Sequence, residues 1–309
     1  MTTSEKAAAL SSSPGPAATP PGALSFAFQG ERGAFSEDAG YRFFGRDTAT
    51  RACRDFDELF AAVVRGTADA ALVPIENTLA GPIIKNYDLL LEHDVTIVGE
   101  VVLRVVHNVI GVPGAQLSEI RRVYSLPVAL AQCERFLRDN PTIEAVAAYD
   151  TAGSVKMVMQ AGRRDEAAIA GASAAEAFGA EILAAGIESS PQNFTRFFVV
   201  THPDRAAGFA ARFGASQAAA GEPKTSLVFR TSHRPGGLHA ALRAFAEESI
   251  NLTKIESRPI PGRPFEYSFY LDLLGDPADT RVDRALAQLR ASAESVRLLG
   301  TYPRAEQPA

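Results

Sequence analysis

The chain has 309 residues, 46% of them hydrophobic and 22% charged, with a formal net charge of −5. This is material for roughly two domains with cores of their own, and it excludes a chain that is mostly disordered or fibrous. A net negative chain without a Lys/Arg run is poorly suited to nucleic acid, so no such partner is expected and an anionic ligand needs a local positive site.

Residues 1–24 are mostly Ala, Ser, Pro, Thr and Gly and read as a disordered tail, because they offer almost no large apolar side chains to bury. The apolar run at 7–10 is too short for the core of a secretory signal, and the tail has no Arg of the kind transit peptides carry. Cytoplasm is therefore expected, and the sequons Asn193-Phe194-Thr195 and Asn251-Leu252-Thr253 are not read as glycosylation acceptors. No apolar run reaches the length of a membrane span, so no membrane partner is expected. Cys53 and Cys133 lie far apart without CxxC or Cys/His spacing, which points to a reducing compartment, no disulfide and no metal site.

Residues 24–28 read as a strand, 36–44 as a helix, 70–73 as a buried strand, and 83–91 as a helix with Ile83, Ile84, Tyr87, Leu90 and Leu91 on its apolar face. Two further strands, at 95–98 and 101–106, lead into a second α/β run with strands at 123–125, 145–148 and 167–170. The chain then returns through the apolar stretch 197–200. A passage into a second α/β unit and back predicts two lobes with a ligand-binding cleft between them.

Residues 202–222, rich in Ala and Gly without clear periodicity, read as a linker. A smaller domain over 223–303 follows. A strand from Lys224 sets Leu227 and Phe229 on one side, and a helix after Gly237 places Leu238, Ala241, Leu242 and Phe245 on one face. A strand near 252–255 precedes the alternating stretch 265–273, which puts Phe265, Tyr267, Phe269, Leu271 and Leu273 together. A helix with Val282, Ala285, Leu286 and Leu289 and a strand at 296–299 complete a ferredoxin-like βαββαβ order.

Three segments carry chemistry. Gly30-Glu31-Arg32-Gly33-Ala34-Phe35-Ser36 joins the first strand to the first helix with GxxGxxS spacing, which is neither a dinucleotide fingerprint nor a P-loop. Ser36 there reads either as an N-cap or as an anion contact at a helix start. Val73-Pro74-Ile75-Glu76-Asn77-Thr78, followed by Gly81, groups polar side chains just past a buried strand. Thr195-Arg196-Phe197 puts a hydroxyl and a guanidinium at the mouth of an apolar strand, as a site for a small carboxylate would.

With Tyr149-Asp150-Thr151-Ala152, the run 167–200, and the segments 224–231 and 250–260, these motifs make the chain resemble a monofunctional prephenate dehydratase over roughly residues 25–303. The resemblance implies a two-lobed catalytic domain like a type II periplasmic binding protein, followed by a ferredoxin-like ACT regulatory domain. It also implies decarboxylating dehydration of prephenate to phenylpyruvate without a cofactor, since formation of an aromatic ring drives the bond cleavages. Thr195 then corresponds to the family's essential Thr and donates to the leaving oxygen. Ser36, Glu76, Asn77, Thr78, Gly81, Thr151, Ala152, Asn193, Arg196 and Phe197 become substrate contacts, with Arg196 either clamping a carboxylate or holding Glu76.

Gly236, Gly237 and Leu238 with Glu256, Ser257, Arg258 and Pro259 become a phenylalanine effector site between paired ACT domains, in a homodimer or homotetramer. The chain departs from the family in the second lobe. There Ser125-Leu126-Pro127-Val128-Ala129 stands in place of Ser-His-Pro-Gln-Ala, and Thr78 stands where Ser is more common. Arogenate dehydratase and a catalytically silent sensor of the same fold are the alternatives.

Overall fold

The structure, a computed structural model, describes residues 24–218, 221–232 and 234–306, with backbone alone for 214–218. The tail expected over 1–24 lies outside the described residues except for Leu24.

The first lobe runs β1 (Ser25–Gln29), α1 (Phe35–Phe44), β2 (Ala49–Cys53), α2 (Phe56–Val64), β3 (Ala70–Asn77), β4 (Gly81–Pro82), α3 (Ile84–Glu92) and β5 (Thr96–Arg104). The second lobe follows with β6 (Asn108–Gly111), β7 (Arg122–Ser125), α4 (Pro127–Gln132), α5 (Glu134–Asp139), β8 (Glu144–Ala147), α6 (Thr151–Ala161), β9 (Glu166–Ala170), α7 (Ala172–Phe178) and β10 (Glu181–Ala184). The chain returns to the first lobe as β11 (Phe194–Thr201), and α8 (Ala206–Ala218) follows. The first sheet has the order β2-β1-β3-β11-β5 with β4 on β3, and the second has the order β10-β6-β9-β7-β8. Each lobe is thus an α/β layer, and the two connections at 105–107 and 185–193 cross between them.

Two expectations change here. The strands placed at 95–98 and 101–106 are one strand, β5, because Gly99 and Glu100 both pair with β11 and leave no break. The linker placed at 202–222 is helical over Ala206–Ala218. Its Phe209 is buried in the first lobe's core beside Phe44, which supplies the apolar anchor that an Ala-rich pattern hides.

β12 (Pro223–Thr231), α9 (Gly237–Glu247), β13 (Leu252–Ile260), β14 (Arg263–Leu274), α10 (Thr280–Ser292) and β15 (Ala293–Pro303) form the C-terminal domain, whose antiparallel sheet has the order β13-β14-β12-β15. One face of that sheet packs on its two helices through Leu227, Phe229, Leu271 and Leu273. The other face lies on the first lobe. Val228, Tyr270, Leu299 and Tyr302 belong to the same core cluster as Val73, Ile75, Ile97 and Phe198.

β11 therefore sits between two cores, and its alternation sorts its side chains. Phe197 and Val199 face α1 and the lobe interior, whereas Phe198 and Val200 face the C-terminal sheet. β3 follows the same rule up to Val73 and then breaks it. Its pairing with β11 shifts between Arg196↔Glu76 and Phe197↔Pro74, leaving Ile75 as the extra residue of a β-bulge. A bulge places two successive side chains on one side and reverses the parity of everything after it. Ile75 and Glu76 both face the C-terminal domain, and Asn77 is turned toward the cleft between the lobes.

Candidate active site

The cleft is a cavity of about 360 Å³. The end of β1, the start of α1, the β3–α3 connection, the first lobe-to-lobe crossing, α4, the start of α6 and β11 all contribute to its walls. The lobes meet closely beside it. Gly33 adopts φ +81°, and a Cβ there would sit 2.5 Å from Ala174 Cα on α7, so a side chain would hold the lobes apart.

Thr195 and Phe197 line this cavity from β11, and Thr195 is 9% exposed. Its hydroxyl is set by an amide network. The two hydrogens of Asn77 Nδ2 are shared among three acceptors, Thr195 Oγ1 at 3.0 Å, Asn193 Oδ1 at 2.8 Å and the Phe194 carbonyl at 3.1 Å. Asn77 Oδ1 accepts from the amides of Leu79 and Ala80 and from Gln132 Nε2, which fixes the side chain at both ends. Because Oγ1 is an acceptor in this network, the hydrogen of Thr195 is left to donate into the cleft.

Two members of the network were not among the expected site residues. Gln132, at the end of α4, receives hydrogen bonds at Oε1 from Asn193 Nδ2 at 2.9 Å and from His107 at 2.8 Å. An amide oxygen only accepts, so His107 carries its proton on Nε2. Nδ1 is then a bare acceptor, buried and without a partner among the described residues. Burial lowers the pKa of His107 against the opposing pull of Gln132 and Glu188, so the ring is neutral near pH 7. The available signal was a polar pair, His107-Asn108 after Val105-Val106, where the chain crosses between lobes.

Ser36 lines the cleft but is not an N-cap. The cap of α1 is Ala34, which offers no side-chain bond, and the first-turn amides of Phe35 and Ser36, at the cavity wall, have no backbone partner among the described residues. Thr151 and Gly81 also line the cavity, with Asp150 capping α6 through a 2.6 Å bond from the Gly153 amide. Asp150 is buried, and burial raises its pKa. Leu126 and Val128 form part of the far wall.

Several expected contacts lie elsewhere. Ala152 and Asn193 are buried behind the wall, Asn193 as a member of the amide network. Thr78 ties the chain internally, donating to the Gln192 carbonyl and accepting from the Phe194 amide. Of the two roles expected of Arg196, the structure shows the hold on Glu76 and not the carboxylate clamp in the cleft: neither Arg196 nor Glu76 lines the cleft, because strand alternation and the bulge turn both toward the C-terminal domain. Arg196 bonds Asp272 of β14 at 2.6 Å and Glu76 at 3.1 Å, lies 3.6 Å from Glu100, and stacks over Phe198. Burial works against this cation, yet Asp272, Tyr302 and Glu100 raise its pKa above the ordinary guanidinium value. Desolvation opposes the charge of Asp272 too, and Arg196 and Lys224 hold it below the usual carboxylate range.

The cleft thus contains no Lys or Arg among its lining residues. A second cavity, also of about 360 Å³, lies at the interdomain seam and is lined by Arg196, Lys224, Lys254, Arg304 and Glu76.

In the C-terminal domain Gly236 caps α9 in a left-handed conformation at φ +79°, Gly237 opens the helix and Leu238 packs against the core. The segment 256–259 divides. Ser257 and Pro259 are exposed, whereas Arg258 makes a two-point bond to Asp88 of α3 at 3.0 and 2.8 Å, and Glu256 lies 3.6 Å from Lys254. Arg258 is therefore tied to the chain's own catalytic domain, and Glu256 is paired with Lys254 of its own strand.

Comparison with known proteins gives concordant matches. The prephenate dehydratase family profile matches residues 26–205 and the ACT domain profile matches 225–291. The chain is 40% identical over 286 residues to arogenate dehydratase/prephenate dehydratase 2, chloroplastic, of Arabidopsis thaliana, covering 90% of this chain and 72% of that one. Prephenate dehydratase from Arthrobacter aurescens in complex with L-Phe is 31% identical with a TM-score of 0.80, covering 93% of this chain and 92% of that one. GqqA, described as a novel type of quorum quenching acylase, is 34% identical with a TM-score of 0.80, covering 91% and 98%.

Proposed function

Because the chain belongs to the prephenate dehydratase family, with an ACT domain after the catalytic one, we propose that it converts prephenate to phenylpyruvate, carbon dioxide and water. The observation that carries this reading is the bond from Asn77 Nδ2 to Thr195 Oγ1, which commits the oxygen as acceptor and leaves the hydroxyl hydrogen for the substrate. As the ring carbon–carboxylate bond breaks, its electron pair moves through the ring and expels the ring hydroxyl. Thr195 hydrogen-bonds the departing oxygen, which leaves as water once a proton reaches it. Aromatisation supplies the driving force, so the protein's tasks are anchoring, alignment and donation.

A cleft without Lys or Arg among its lining residues fits this chemistry. A cation fixed on the carboxylate that leaves as neutral carbon dioxide would stabilise the bound substrate more than the transition state, where that charge is dispersing. Helix-start amides at Phe35 and Ser36 and the hydroxyls of Ser36 and Thr151 hold an anion more gently.

Arogenate is the second reading. It carries an ammonium where prephenate has a ketone, and the buried carboxylate of Asp150 at the cleft wall is a fitting partner for that group. The acylase description of GqqA calls for a nucleophile with a base. Here Thr195 bonds an amide, and burial pushes the Cys133 thiol up to about 12. Phenylalanine acting through ACT domains of a homodimer or homotetramer is the regulatory part of the proposal, supported by the phenylalanine complex of the Arthrobacter relative.

Incubating the purified chain with prephenate and with arogenate, and scoring phenylpyruvate and phenylalanine separately, tests the reading. Phenylpyruvate from prephenate is the expected outcome, faster arogenate turnover selects the second reading, and no product from either leaves a silent sensor.

A further inference from the structure

The residues next to the two central polar groups of the cleft are held by the ACT domain. Thr195 and Asn77 face the cleft, and their chain neighbours Arg196 and Glu76 face the seam. Arg196 is bonded to Asp272 of β14 at 2.6 Å. Glu76 is bonded to Lys254 of β13 at 3.0 Å and to Arg196 at 3.1 Å. Asp272 is fixed in turn by Ser226 at 2.6 Å and approached by Lys224 at 3.4 Å, which itself bonds Glu100 of β5 at 2.8 Å.

All of this surrounds the place where β3 and β11 change register. The bulge at Ile75 decides which of Glu76 and Asn77 faces the cleft. Removing it would slide Asn77 to the seam and Glu76 into the cleft, because side-chain period in a strand is two. A bulge is a local departure from the ladder, and something must hold it.

We infer that Lys254 and Asp272 of the ACT domain are positioning residues for the catalytic hydroxyl: by gripping Glu76 and Arg196 they pin the β3–β11 bulge that keeps Asn77 bonded to Thr195. The inference rests on the reading of Thr195 as the donor. It gives the ACT domain a direct mechanical connection to the reaction, since a shift of β13 or β14 against the first lobe pulls on the two residues adjoining Thr195 and Asn77.

The test compares Lys254→Met, Lys254→Arg and Asp272→Asn with the unsubstituted enzyme, taking Arg284→Gln on the exposed Arg284–Glu248 pair as control. Lys254→Met and Asp272→Asn are expected to lower kcat about 3- to 30-fold with KM nearly unchanged. Hydrogen exchange across 194–198 is expected to rise in both, with Lys254→Arg restoring both readouts. Should Asp272→Asn fail to fold, the two Lys254 variants decide the matter. Unchanged kcat in Lys254→Met, a loss confined to KM, or a loss without faster exchange across 194–198 overturns the inference. An unsubstituted chain inert toward both prephenate and arogenate removes the Thr195 reading, and with it this inference, whereas an active one with unaffected variants removes this inference alone.

Discussion

The two sides of β11 open on cavities of similar volume and opposite character. The cleft is walled by hydroxyls, amides, aromatic and aliphatic groups, the His107 imidazole and the Asp150 carboxyl, with no Lys or Arg among its lining residues; the seam cavity gathers Arg196, Lys224, Lys254 and Arg304. On the proposed function, a cavity rich in cations is not where the anionic substrate reacts. Cations at the seam meet carboxylates that stay, Glu76, Glu100 and Asp272, and they hold structure together. In the cleft, a carboxylate that must leave is better met by neutral donors.

The sharpest way to break this contrast is at Thr195. Thr195→Ala is expected to lower kcat by roughly 10²- to 10⁴-fold, with Thr195→Ser much milder, as steady-state rates on prephenate will show. Near-normal turnover in the Ala variant would strip the cleft of its proposed chemistry. A smaller effect is expected when charge is moved across the divide. Val128→Lys puts an ammonium on the half-open far wall, and it is expected to lower KM and also kcat by up to about fivefold each, the range of an exposed ion pair. A rise in kcat would refute the argument that a fixed cation holds the ground state too well.

The smallest effect concerns His107, the cleft's one imidazole. Its folded pKa lies below the ordinary 6.5, so the unfolded chain binds the proton more readily and folding is linked to its release. The stability associated with the neutral ring is complete above 6.5 and is lost as pH falls toward the folded pKa. Asp150, whose pKa is raised, works in the opposite sense at lower pH. Between pH 7.5 and 5.5 the melting temperature of the unsubstituted chain should therefore fall more than that of His107→Gln, with a slope of at most about 1.4 kcal/mol per pH unit from this group. Equal slopes would mean the ring is not titrating against burial.

Much of the fold was legible because period and burial agree. The all-apolar 70–73 stretch announced a strand buried on both faces, and the alternation at 265–273 announced a strand whose Phe269, Leu271 and Leu273 pack in the C-terminal core, although Phe265 and Tyr267 of the same predicted face are exposed. β2 was not legible. Ala49–Cys53 carries Thr and Arg at a sheet edge, where one side meets solvent and no apolar rhythm is required. In the site, Thr195, Asn77, Ser36, Gly81, Thr151 and Phe197 line the cleft as their motifs led one to expect, while Glu76 was misplaced there and Arg196 takes the second of its two expected roles, holding Glu76 at the seam. Sequence neighbours on a strand point to opposite faces, so Arg196 could not share the cleft with Thr195. Nothing in the string Pro74-Ile75-Glu76-Asn77 marks the extra residue that reverses Glu76 and Asn77, since a bulge is set by the partner strand. Gln132 and His107 were missed because their partners are distant in the chain: 25 residues separate the two from each other, and 55 and 61 separate Gln132 from Asn77 and Asn193.

The core shared by Val73, Ile75, Ile97 and Phe198 with Val228, Tyr270, Leu299 and Tyr302 also bears on how this molecule can be taken apart. Cutting the chain before β12 would uncover four large apolar side chains on one sheet face and leave Glu76, Glu100 and Arg196 without their partners across the seam. Such a fragment would have a sticky surface, and its loss of response to an effector would report damage as readily as release from control. The transplantable unit is the pair of domains with the seam between them, and a chimaera exchanging one ACT domain for another must carry Lys224, Lys254 and Asp272 along with it.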